Sequence, residues 1–570
     1  MVILGIKLTH DGAVALIEDG VLKFCTEIEK INNNVRHKEI CDLSIIPEII
    51  RSNGYGIGNI DYVAIDGWHG VEEFWGGSSS ITLKHGSKNL MLNVAPYNEK
   101  SLSENILQRF LYSQNITLDN RKFEYSSFMH VSGHVAGAYC SSPFAKSGES
   151  SYILAWDGGQ YPRLYYFEAK TNEIKNLGHL FMFLGTIYGI FPQYFGPYKK
   201  SQAQLKIDKS EKRIEGFFGG YTVPGKIMAY IALGKVKPEL LEIFSKVHRK
   251  NVVVNNEFEH LFSQTIRKLV RKEIYRDEDV LATMHKYLED LLLSTLDQKI
   301  SKYPQYERNL CFSGGSGLNI KWNSKIRSSG LFKSMYVPPF PNDSGSAIGV
   351  ACCEYLFQTN KSNITWNVYS GPDVKINSPS EGWSRQNFSV EELARHMHLT
   401  GEPVVVLNSR AELGPRALGN RSILAPATSP KMKDLLNEVK GRESYRPVAP
   451  MCLEEEASKV FDPGCSDPYM LFEHFVRTEW KDRVPAICHL DGTARLQTIN
   501  NKDNETIYAL LREYVKVSGV PLLCNTSANY NGSGFFPDVK SATGWDRLNY
   551  VWANNILFSK NEKADFTNYL

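Results

Sequence analysis

The clearest chemistry in the sequence comes from cations between positions 412 and 450. The segments ELGPRALGNRS and VKGRESYRPVAP contain Arg416, Arg421, Lys440, Arg442 and Arg446. These cations stand among glycines and prolines, and they repel one another unless a polyanion binds; guanidinium groups match phosphate oxygens well. The pattern predicts a rigid phosphate-binding cradle. The alternative is that the arginines pair with Glu412, Glu438 and Glu443 and only fasten loops.

A second group of residues could hold a metal ion. His130 and His134 in FMHVSGH lie one helical turn apart, so both imidazoles face the same side if the segment is helical. Asp157 in LAWDGG and Asp343 in PPFPNDSG stand at a strand end or just before a helix, where a carboxylate can enter a cleft. Two histidines and two aspartates suit iron, manganese or zinc. The HxxxH spacing alone also fits a structural pair.

Glycine-rich turns indicate a nucleotide near these residues. They comprise Gly158-Gly159, Gly225-Lys226 in TVPGKIMAY, and Gly314, Gly315, Gly317 and Asn319 in SGGSGLN. Backbone amides at such turns approach phosphates closely, although the PGK sequence lacks the spacing of a P-loop. Their joint occurrence favours nucleotide binding, whereas each turn alone is ordinary.

Two α/β domains must position these groups. Strands and helices alternate from residue 1 to about 357, which predicts a bilobal α/β domain. Residues 358–392 are polar and predict a linker, and residues 393–570 form a second domain with helix-like SPKMKDLLNEV and strand-like VPAICHL, YVWANNILF and PLLCN. No internal repeat is visible. Residues 199–213 predict a solvated flexible loop, with a charged lid as the alternative.

The composition excludes several classes of function. The 570 residues carry a net charge of only +3, which argues against a general nucleic-acid or membrane surface. The apolar run before Lys7 is too short for a signal peptide, and no span approaches about 18 apolar residues. We therefore expect a cytoplasmic protein.

Eight motifs occur in an order that resembles one known family. THDGAVAL, FMHVSGH, LAWDGG, GGSGLN, ELGPRALGNRSIL, YRPVAP, TARLQT and CNTSAN are similar to the NodU/CmcH carbamoyltransferases over almost the full chain. The resemblance implies an actin-like (ASKHA) N-terminal domain, similar to the metal-containing subunit that makes threonylcarbamoyladenosine in tRNA. It also implies a YrdC-like C-terminal domain.

The resemblance further implies a reaction in two steps. The C-terminal domain would form carbamoyl adenylate from carbamoyl phosphate and ATP, with Mg²⁺, and the N-terminal domain would transfer the carbamoyl group to an acceptor hydroxyl. His10 falls on the general base, and His130, His134, Asp157 and Asp343 fall on the ligands of a divalent metal, with iron first and manganese or zinc as alternatives. Lys226, Gly314, Gly315 and Asn319 fall on the nucleotide side. The positions for carbamoyl phosphate and ATP are Arg416, Lys440, Arg446 and Arg495, with Asn525 and Ser527 nearby and Arg421 and Arg442 as looser assignments. For His10, a structural role in the turn beside Asp11 is the alternative.

The sequence departs from the family pattern at two places. Arg36 stands in EKINNNVRH where the family has lysine, which keeps the positive charge with a different reach. After CNTSAN the usual acidic run is replaced by NYNGSGFFPDVKSA. Both changes affect substrate fit more than chemistry.

The acceptor stays open, with aminoglycosides, other polyol or macrolide natural products, a cephem hydroxymethyl, a guanidinium alkaloid and oligosaccharides as candidates. A homodimer is compatible with the sequence. The alternative functions are a tRNA threonylcarbamoyl-type enzyme, which the low net charge disfavours, and a nucleotide-binding module without turnover.

Overall fold

The computed structural model describes residues 1–69, 79–210, 220–250, 257–270 and 274–561. The chain divides into two compact units. Unit 1 comprises Met1–Lys23 and Glu39–Trp366, and unit 2 comprises Phe24–Lys38 and Asn367–Leu570. The boundary after Trp366 lies inside the polar segment 358–392. The sequence pattern did not predict that residues 24–38 belong to the second unit.

Unit 1 is a mixed α/β unit with two main sheets. Its strands are β1 Val2–Lys7, β2 Ala13–Glu18, β3 Val21–Glu27 (which continues into unit 2), β4 Tyr62–Asp66, β5 Ser80–His85, β6 Lys88–Asn93, β7 Phe110–Leu118, β8 Arg121–Phe128, β9 Ser151–Ala155, β10 Arg163–Glu168, β11 Glu173–His179, β12 Asn309–Ser313 and β13 Ser334–Tyr336. Its helices are α1 Ile45–Ser52, α2 His130–Cys140, α3 Pro143–Ser147, α4 Ile187–Ile190, α5 Gln202–Ser210, α6 Val223–Tyr230, α7 Pro238–Lys250, α8 Phe258–Leu269, α9 Asp277–Ile300, α10 Ile320–Ser328 and α11 Ser346–Thr359.

The two sheets of unit 1 share one strand order. The first runs β3-β2-β1-β4-β8-β7 and the second β11-β10-β9-β12-β13. In the first sheet, β1 pairs antiparallel with β2 on one side and parallel with β4 on the other. In the second sheet, β9 pairs in the same way with β10 and β12. The same order built from different sequences is a structural repeat that the sequence did not reveal.

Helices α2 and α11 pack against each other between these sheets. Helix α11 contacts β1, β2 and β4, and α2 contacts β9 and β12. The approach is close because Gly349 of α11 lies against Gly133 of α2: a Cβ at Gly349 would stand 2.1 Å from the carbonyl oxygen of Gly133. Small residues in HVSGHVAGAY and GSAIGVACC thus bring the first turn of α2, which carries His130, close to the start of α11, which Asp343 precedes.

Unit 2 is built on an eight-stranded mixed sheet of order β14-β24-β23-β15-β16-β22-β17-β21, with a small sheet β18-β19-β20. Its strands are β14 Trp383–Asn387, β15 Val404–Leu407, β16 Arg421–Ala425, β17 Ala449–Leu453, β18 Phe461–Asp462, β19 His474–Val476, β20 Thr493–Ala494, β21 Gln497–Ile499, β22 Leu522–Ser527, β23 Tyr550–Ala553 and β24 Ile556–Lys560. Its helices are α12 Val390–Thr400, α13 Lys431–Val439, α14 Glu454–Val460, α15 Thr478–Lys481, α16 Glu505–Ser518 and α17 Val539–Gly544.

Two secondary-structure predictions are wrong. Residues 199–213 are not simply a loop, because α5 begins at Gln202, and the Gln204 amide donates to Asp208 one turn later, 3.0 Å away. Positions 211–213 lie outside the described residues. In VPAICHL, Pro485–Ile487 forms a 3₁₀ turn rather than a strand, since Pro485 has no N–H for a sheet ladder. No helix in the described ranges is long and apolar enough to cross a membrane.

Candidate functional site

Unit 1 gathers the four predicted metal ligands into one buried cluster, which we call the donor cluster: His130, His134, Asp157 and Asp343. One ligand atom from each lies within 4.8 Å of all the others. The Nε2 atoms of His130 and His134 are 3.1 Å apart, and Oδ1 of Asp343 lies 3.4 Å and 3.6 Å from them. Elements distant in sequence supply these residues: α2 carries both histidines, Asp157 follows β9, and Asp343 precedes α11.

Neighbouring groups orient each member of the donor cluster. The Nδ1 atom of His130 lies 2.8 Å from Oδ2 of Asp66, so a proton on Nδ1 leaves Nε2 facing the cluster. Asp157 accepts hydrogen bonds from the Tyr97 hydroxyl at 2.6 Å and the Gly315 N–H at 2.7 Å. Burial and the Lys7 ammonium lower the pKa of His130, but the carboxylates of Asp66 and Asp343 outweigh them and raise it to about 9.

The donor set fits a divalent transition metal. Two imidazole nitrogens and two carboxylates are typical ligands of iron, manganese and zinc, and all four side chains are buried. Burial raises the pKa of Asp343, but the Lys7 ammonium and the His130 imidazole outweigh it and hold this pKa well below its usual value. The carboxylate is therefore ionised. The arrangement therefore presents carboxylate oxygens and imidazole nitrogens together in a buried site.

His10 lies at the edge of the donor cluster. Its Nε2 is 3.5 Å from Oδ2 of Asp343 and its Nδ1 is 3.0 Å from Oδ2 of Asp11, while its side chain is 22% exposed. Asp11 adopts a left-handed backbone (φ 56°) in the hairpin between β1 and β2. His10 thus combines a carboxylate partner with a partly exposed side chain, and a structural role in the turn stays the alternative.

The glycine turn after β12 borders the donor cluster. Gly314 has φ 87°, and a Cβ there would lie 2.4 Å from the carbonyl oxygen of Trp156, so this position excludes any side chain. Gly315 contributes the N–H that holds Asp157. Asn319 caps α10 through its Oδ1, and Lys226 on α6 lies over the ring of Tyr198 at 5.5 Å. Asn319 thus has a structural role in the fold.

Unit 2 gathers a second constellation, which we call the arginine cluster: Arg36, Arg416, Arg442, Arg446 and Arg495. Burial, with Arg495, Arg36 and Arg446 adding to it, lowers the pKa of Arg416 well below its usual value. Burial followed by the neighbouring arginines likewise lowers the pKa of Arg442 to about 9 and of Arg495 to about 10. The Nε atoms of four members have no hydrogen-bond partner among the described residues: Arg36, Arg416, Arg442 and Arg495. Desolvated guanidinium groups that repel one another and keep unpaired Nε atoms are an arrangement that a bound polyanion stabilises.

Carboxylates account for little of this positive charge. Glu443 lies 3.6 Å from Arg446 and Glu29 lies 3.7 Å from Arg36. Glu412 instead shapes the GPRALGN turn, because its Oε1 accepts the backbone N–H groups of Leu418, Asn420 and Arg421. The alternative of simple loop-fastening ion pairs therefore describes only the rim of the arginine cluster.

The remaining predicted residues of unit 2 are engaged by the protein itself. The guanidinium of Arg421 donates to the carbonyl oxygens of Asn408, Asn420, Pro372 and Ser409. Lys440 donates to the carbonyls of Ser527 and Asn529 at 2.8 Å, and to the Asn529 side chain. The Asn525 amide donates to Ala417 and Gln497, and the Ser527 hydroxyl donates to Asn529. Four of the five N–H donors of Arg421 and all three of Lys440 thus have acceptors within the protein, and their assignment to the carbamoyl phosphate and ATP site stays a prediction.

Sequence reasoning missed the residues that fasten both constellations. In unit 1 these are Lys7 and Asp66, each at the end of a buried strand; a charged residue closing an apolar run was the available signal. In unit 2, the Lys30 ammonium bonds Glu27 at 2.7 Å and the carbonyls of Glu412 and Gly414 at 2.5 and 2.7 Å. This buried contact holds residues 24–38, and with them Arg36, against the GPRALGN turn.

Comparison with known proteins gives consistent matches over both units. The profile described as "Carbamoyltransferase N-terminus" matches residues 2–352, and "Carbamoyltransferase C-terminus" matches residues 396–560. Nodulation protein U of Sinorhizobium fredii is 44% identical over 98% of this chain and 99% of that protein. The 3'-hydroxymethylcephem-O-carbamoyltransferase of Streptomyces clavuligerus is 29% identical over 94% of each chain. A solved structure of full-length HypF in the phosphate- and nucleotide-bound form aligns over 63% of this chain and 56% of that one, with 13% identity and a TM-score of 0.33. That structural similarity is too weak to support an inference.

Proposed function

The chain belongs to the carbamoyltransferase family, and from this premise we propose that it is an ATP-dependent O-carbamoyltransferase acting on a hydroxyl group of a small natural product. In this proposal unit 2 makes carbamoyl adenylate and unit 1 transfers the carbamoyl group. The observation that carries the proposal is the arginine cluster, whose buried, mutually repelling guanidinium groups with unpaired Nε atoms would be stabilised by a polyanion. The arginine cluster and the donor cluster belong to different units, which supports two chemical steps.

The activation step uses the arginine cluster. Carbamoyl phosphate and water give carbamate and inorganic phosphate; a carbamate oxygen then attacks the α-phosphorus of ATP, the bond to the β-phosphate oxygen breaks, and pyrophosphate leaves. Arg416, Arg442 and Arg495 would bind the phosphate oxygens, with Arg36 and Arg446 at the rim. Each charge-assisted hydrogen bond contributes about 1.5–3 kcal/mol. The guanidinium groups also stabilise the negative charge of the leaving pyrophosphate.

The transfer step uses His10. The acceptor oxygen bonds to the carbamoyl carbon, the bond from that carbon to the adenylate oxygen breaks, and AMP leaves. Nε2 of His10 takes the hydroxyl proton, while Asp11 holds the ring through Nδ1. A positioned imidazole typically raises such a rate by about 10²- to 10⁴-fold. The partial exposure of His10 gives the acceptor access to it.

The donor cluster would hold one divalent metal, iron first and manganese or zinc as alternatives, through His130, His134, Asp157 and Asp343. Such an ion supplies Lewis-acid polarisation of a carbonyl or binds a phosphate oxygen. The residues of unit 1 keep its ligands in place: Asp66 orients His130, and Tyr97 with Gly315 orients Asp157. Gly314, Gly315 and Lys226 would face the nucleotide portion of the adenylate.

We further propose the actin-like fold for unit 1 and the YrdC-like fold for unit 2. The repeated strand order of the two sheets of unit 1 supports the first assignment. The second rests on the motif resemblance and on the mixed α/β sheet that displays the arginine cluster.

The test of the activation step needs no acceptor. The chain is incubated with ATP, carbamoyl phosphate, Mg²⁺ and Fe²⁺, and release of pyrophosphate and phosphate is measured. We expect release above the uncatalysed background from the wild type and none from Arg416→Ala. Arg512→Ala, which removes an exposed arginine of α16, is the matched control and should behave as wild type. No release by folded wild-type chain would contradict the adenylate mechanism.

A second variant separates the two steps. His10→Asn should retain pyrophosphate release and lose transfer, because His10 acts only on the acceptor hydroxyl. Transfer is followed by mass spectrometry as the gain of one carbamoyl group across a panel of hydroxylated metabolites, including a hydroxymethylcephem, for which the Streptomyces relative is named. Equal loss of pyrophosphate release in Arg416→Ala and His10→Asn would contradict the division of labour.

A further inference from the structure

Lys7 is a buried cation beside the donor cluster to which the proposed chemistry assigns no task. It ends β1, has no exposed surface, and its Nζ lies 2.8 Å from Oδ2 of Asp66 and 2.9 Å from Oδ2 of Asp343. Its ammonium also lies 4.2 Å above the ring of Trp68. A buried ammonium is costly unless it is paired, so these carboxylates determine where Lys7 lies.

The position of Lys7 divides the two oxygens of Asp343. Oδ1 faces the Nε2 atoms of His130 and His134 at 3.4 and 3.6 Å, whereas Oδ2 faces Lys7 at 2.9 Å and, more distantly, Nε2 of His10 at 3.5 Å. The ion pair fixes the rotation of the carboxylate and leaves Oδ1 toward the donor cluster. The Lys7 ammonium also holds Asp66, and Asp66 in turn contacts Nδ1 of His130. Lys7 therefore helps to orient a second member of the donor cluster.

Lys7 also sets the charge of the site. Asp66, Asp157 and Asp343 contribute three negative charges and Lys7 one positive charge, while metal-binding imidazoles are neutral. The sum is minus two, which a divalent ion cancels. Asp11 is left out of this sum because it pairs with His10, and its charge is the same in all the variants below.

We propose that Lys7 is a positioning residue that holds Asp343 with Oδ1 toward the donor cluster and sets the charge of the site to favour a divalent over a trivalent ion. This inference rests on the metal site of the proposed function. It assigns Lys7 a role in ion selection that is separate from catalysis on the acceptor.

The experiment compares the binding of Mn²⁺ and Tb³⁺ to the purified full chain. Mn²⁺ binding is followed by electron paramagnetic resonance and Tb³⁺ binding by luminescence, which the nearby Trp68 and Tyr97 can sensitise. In Lys7→Met we expect the ratio of Tb³⁺ to Mn²⁺ affinity to rise about tenfold or more, because a nearby unit charge acts more strongly on the ion of higher charge. Lys7→Arg keeps the charge and should keep the ratio within about threefold of wild type.

Charge-balanced variants keep the test decisive if Lys7→Met fails to fold. Asp66→Asn removes one negative charge and should shift the ratio the other way, toward Mn²⁺. The double variant Lys7→Met/Asp66→Asn removes both charges of one buried pair, leaves the sum at minus two, and should return the ratio to that of wild type. Arg109→Met is the matched control, because it deprives buried Glu354 of its cation in the same unit without contact with the donor cluster.

The outcomes distinguish the two levels of the proposal. Absence of Mn²⁺ binding at one ion per wild-type chain would contradict the metal site and the role of Lys7 together. Wild-type binding with an unchanged ratio in both Lys7→Met and Asp66→Asn, or with an equal shift in Arg109→Met, would overturn the role of Lys7 alone. A ratio in the double variant as high as in Lys7→Met would also overturn it, because charge would not be the cause.

Discussion

At the scale of single residues, two arginines five positions apart in one motif have different surroundings. Arg421 is buried and its guanidinium donates to four backbone carbonyls, whereas the Nε of Arg416 lacks a protein partner and its neighbours are other arginines. Both residues are arginines in the same glycine-rich motif, so the sequence alone could not distinguish their roles. In the structure, backbone carbonyls surround the guanidinium of Arg421, whereas other arginines surround that of Arg416.

This contrast predicts opposite effects on stability. Arg421→Ala should lower the free energy of unfolding by about 3 kcal/mol or more, because buried carbonyl groups lose their donors. Arg416→Ala should leave the unfolding free energy unchanged or raise it in phosphate-free buffer, since it relieves repulsion between cations. Urea unfolding of both variants beside Arg512→Ala measures the difference. A large loss of stability in Arg416→Ala would show that this arginine supports the fold.

At the scale of elements, the contact between α2 and α11 decides whether the metal ligands meet. The histidines are carried by α2 and Asp343 immediately precedes α11, so the distance between these helices sets the width of the donor cluster. Glycines at the crossing allow the backbones to touch. In the sequence these glycines read only as parts of apolar helices.

Replacing a glycine by alanine where α2 and α11 cross should destabilise the protein, although alanine has the higher helix propensity. Alanine in place of a helical glycine usually stabilises a helix by up to about 1 kcal/mol. Gly349→Ala should instead destabilise unit 1 by about 3 kcal/mol, because its methyl group would collide with the Gly133 carbonyl, and it should lower the occupancy of Mn²⁺. Urea unfolding and metal analysis check both effects. Gly58→Ala, where the new methyl group meets open space, is the control; equal behaviour of the two variants would show that the helix contact tolerates expansion.

At the scale of the whole molecule, each unit holds one constellation within its own residues. The donor cluster and His10 belong to unit 1, and the arginine cluster, including Arg36, belongs to unit 2. Segment 24–38 reaches unit 2 although its sequence neighbours lie in unit 1. The proposed steps therefore depend on different sets of contacts.

This arrangement predicts that metal binding and pyrophosphate release can be lost separately. His130→Ala should lose its stoichiometric metal but release pyrophosphate within about threefold of wild type in the presence of Mg²⁺, since its side chain lies outside unit 2. Arg416→Ala should keep one metal per chain and release no pyrophosphate. Metal analysis and a pyrophosphate assay on the same preparations give both readouts, and wild-type chain dialysed against a chelator and returned to Mg²⁺ should match His130→Ala. Undiminished metal in His130→Ala would refute this ligand, and loss of both properties in both variants would contradict independent sites.

The sequence by itself determined the α/β class, the family resemblance and the residue types of both constellations. These are local properties: strand and helix periodicity, turn glycines, the HxxxH spacing and the clustered arginines all lie within short segments. Tertiary structure alone decided which arginine Nε atoms have no partner among the described residues, that Lys7 and Asp66 support the donor cluster, that residues 24–38 join unit 2, and that two unlike sequences build the same sheet order. The physical reason is that the charge, burial and hydrogen bonding of a side chain depend on groups from distant segments, which only the folded chain brings within a few ångströms.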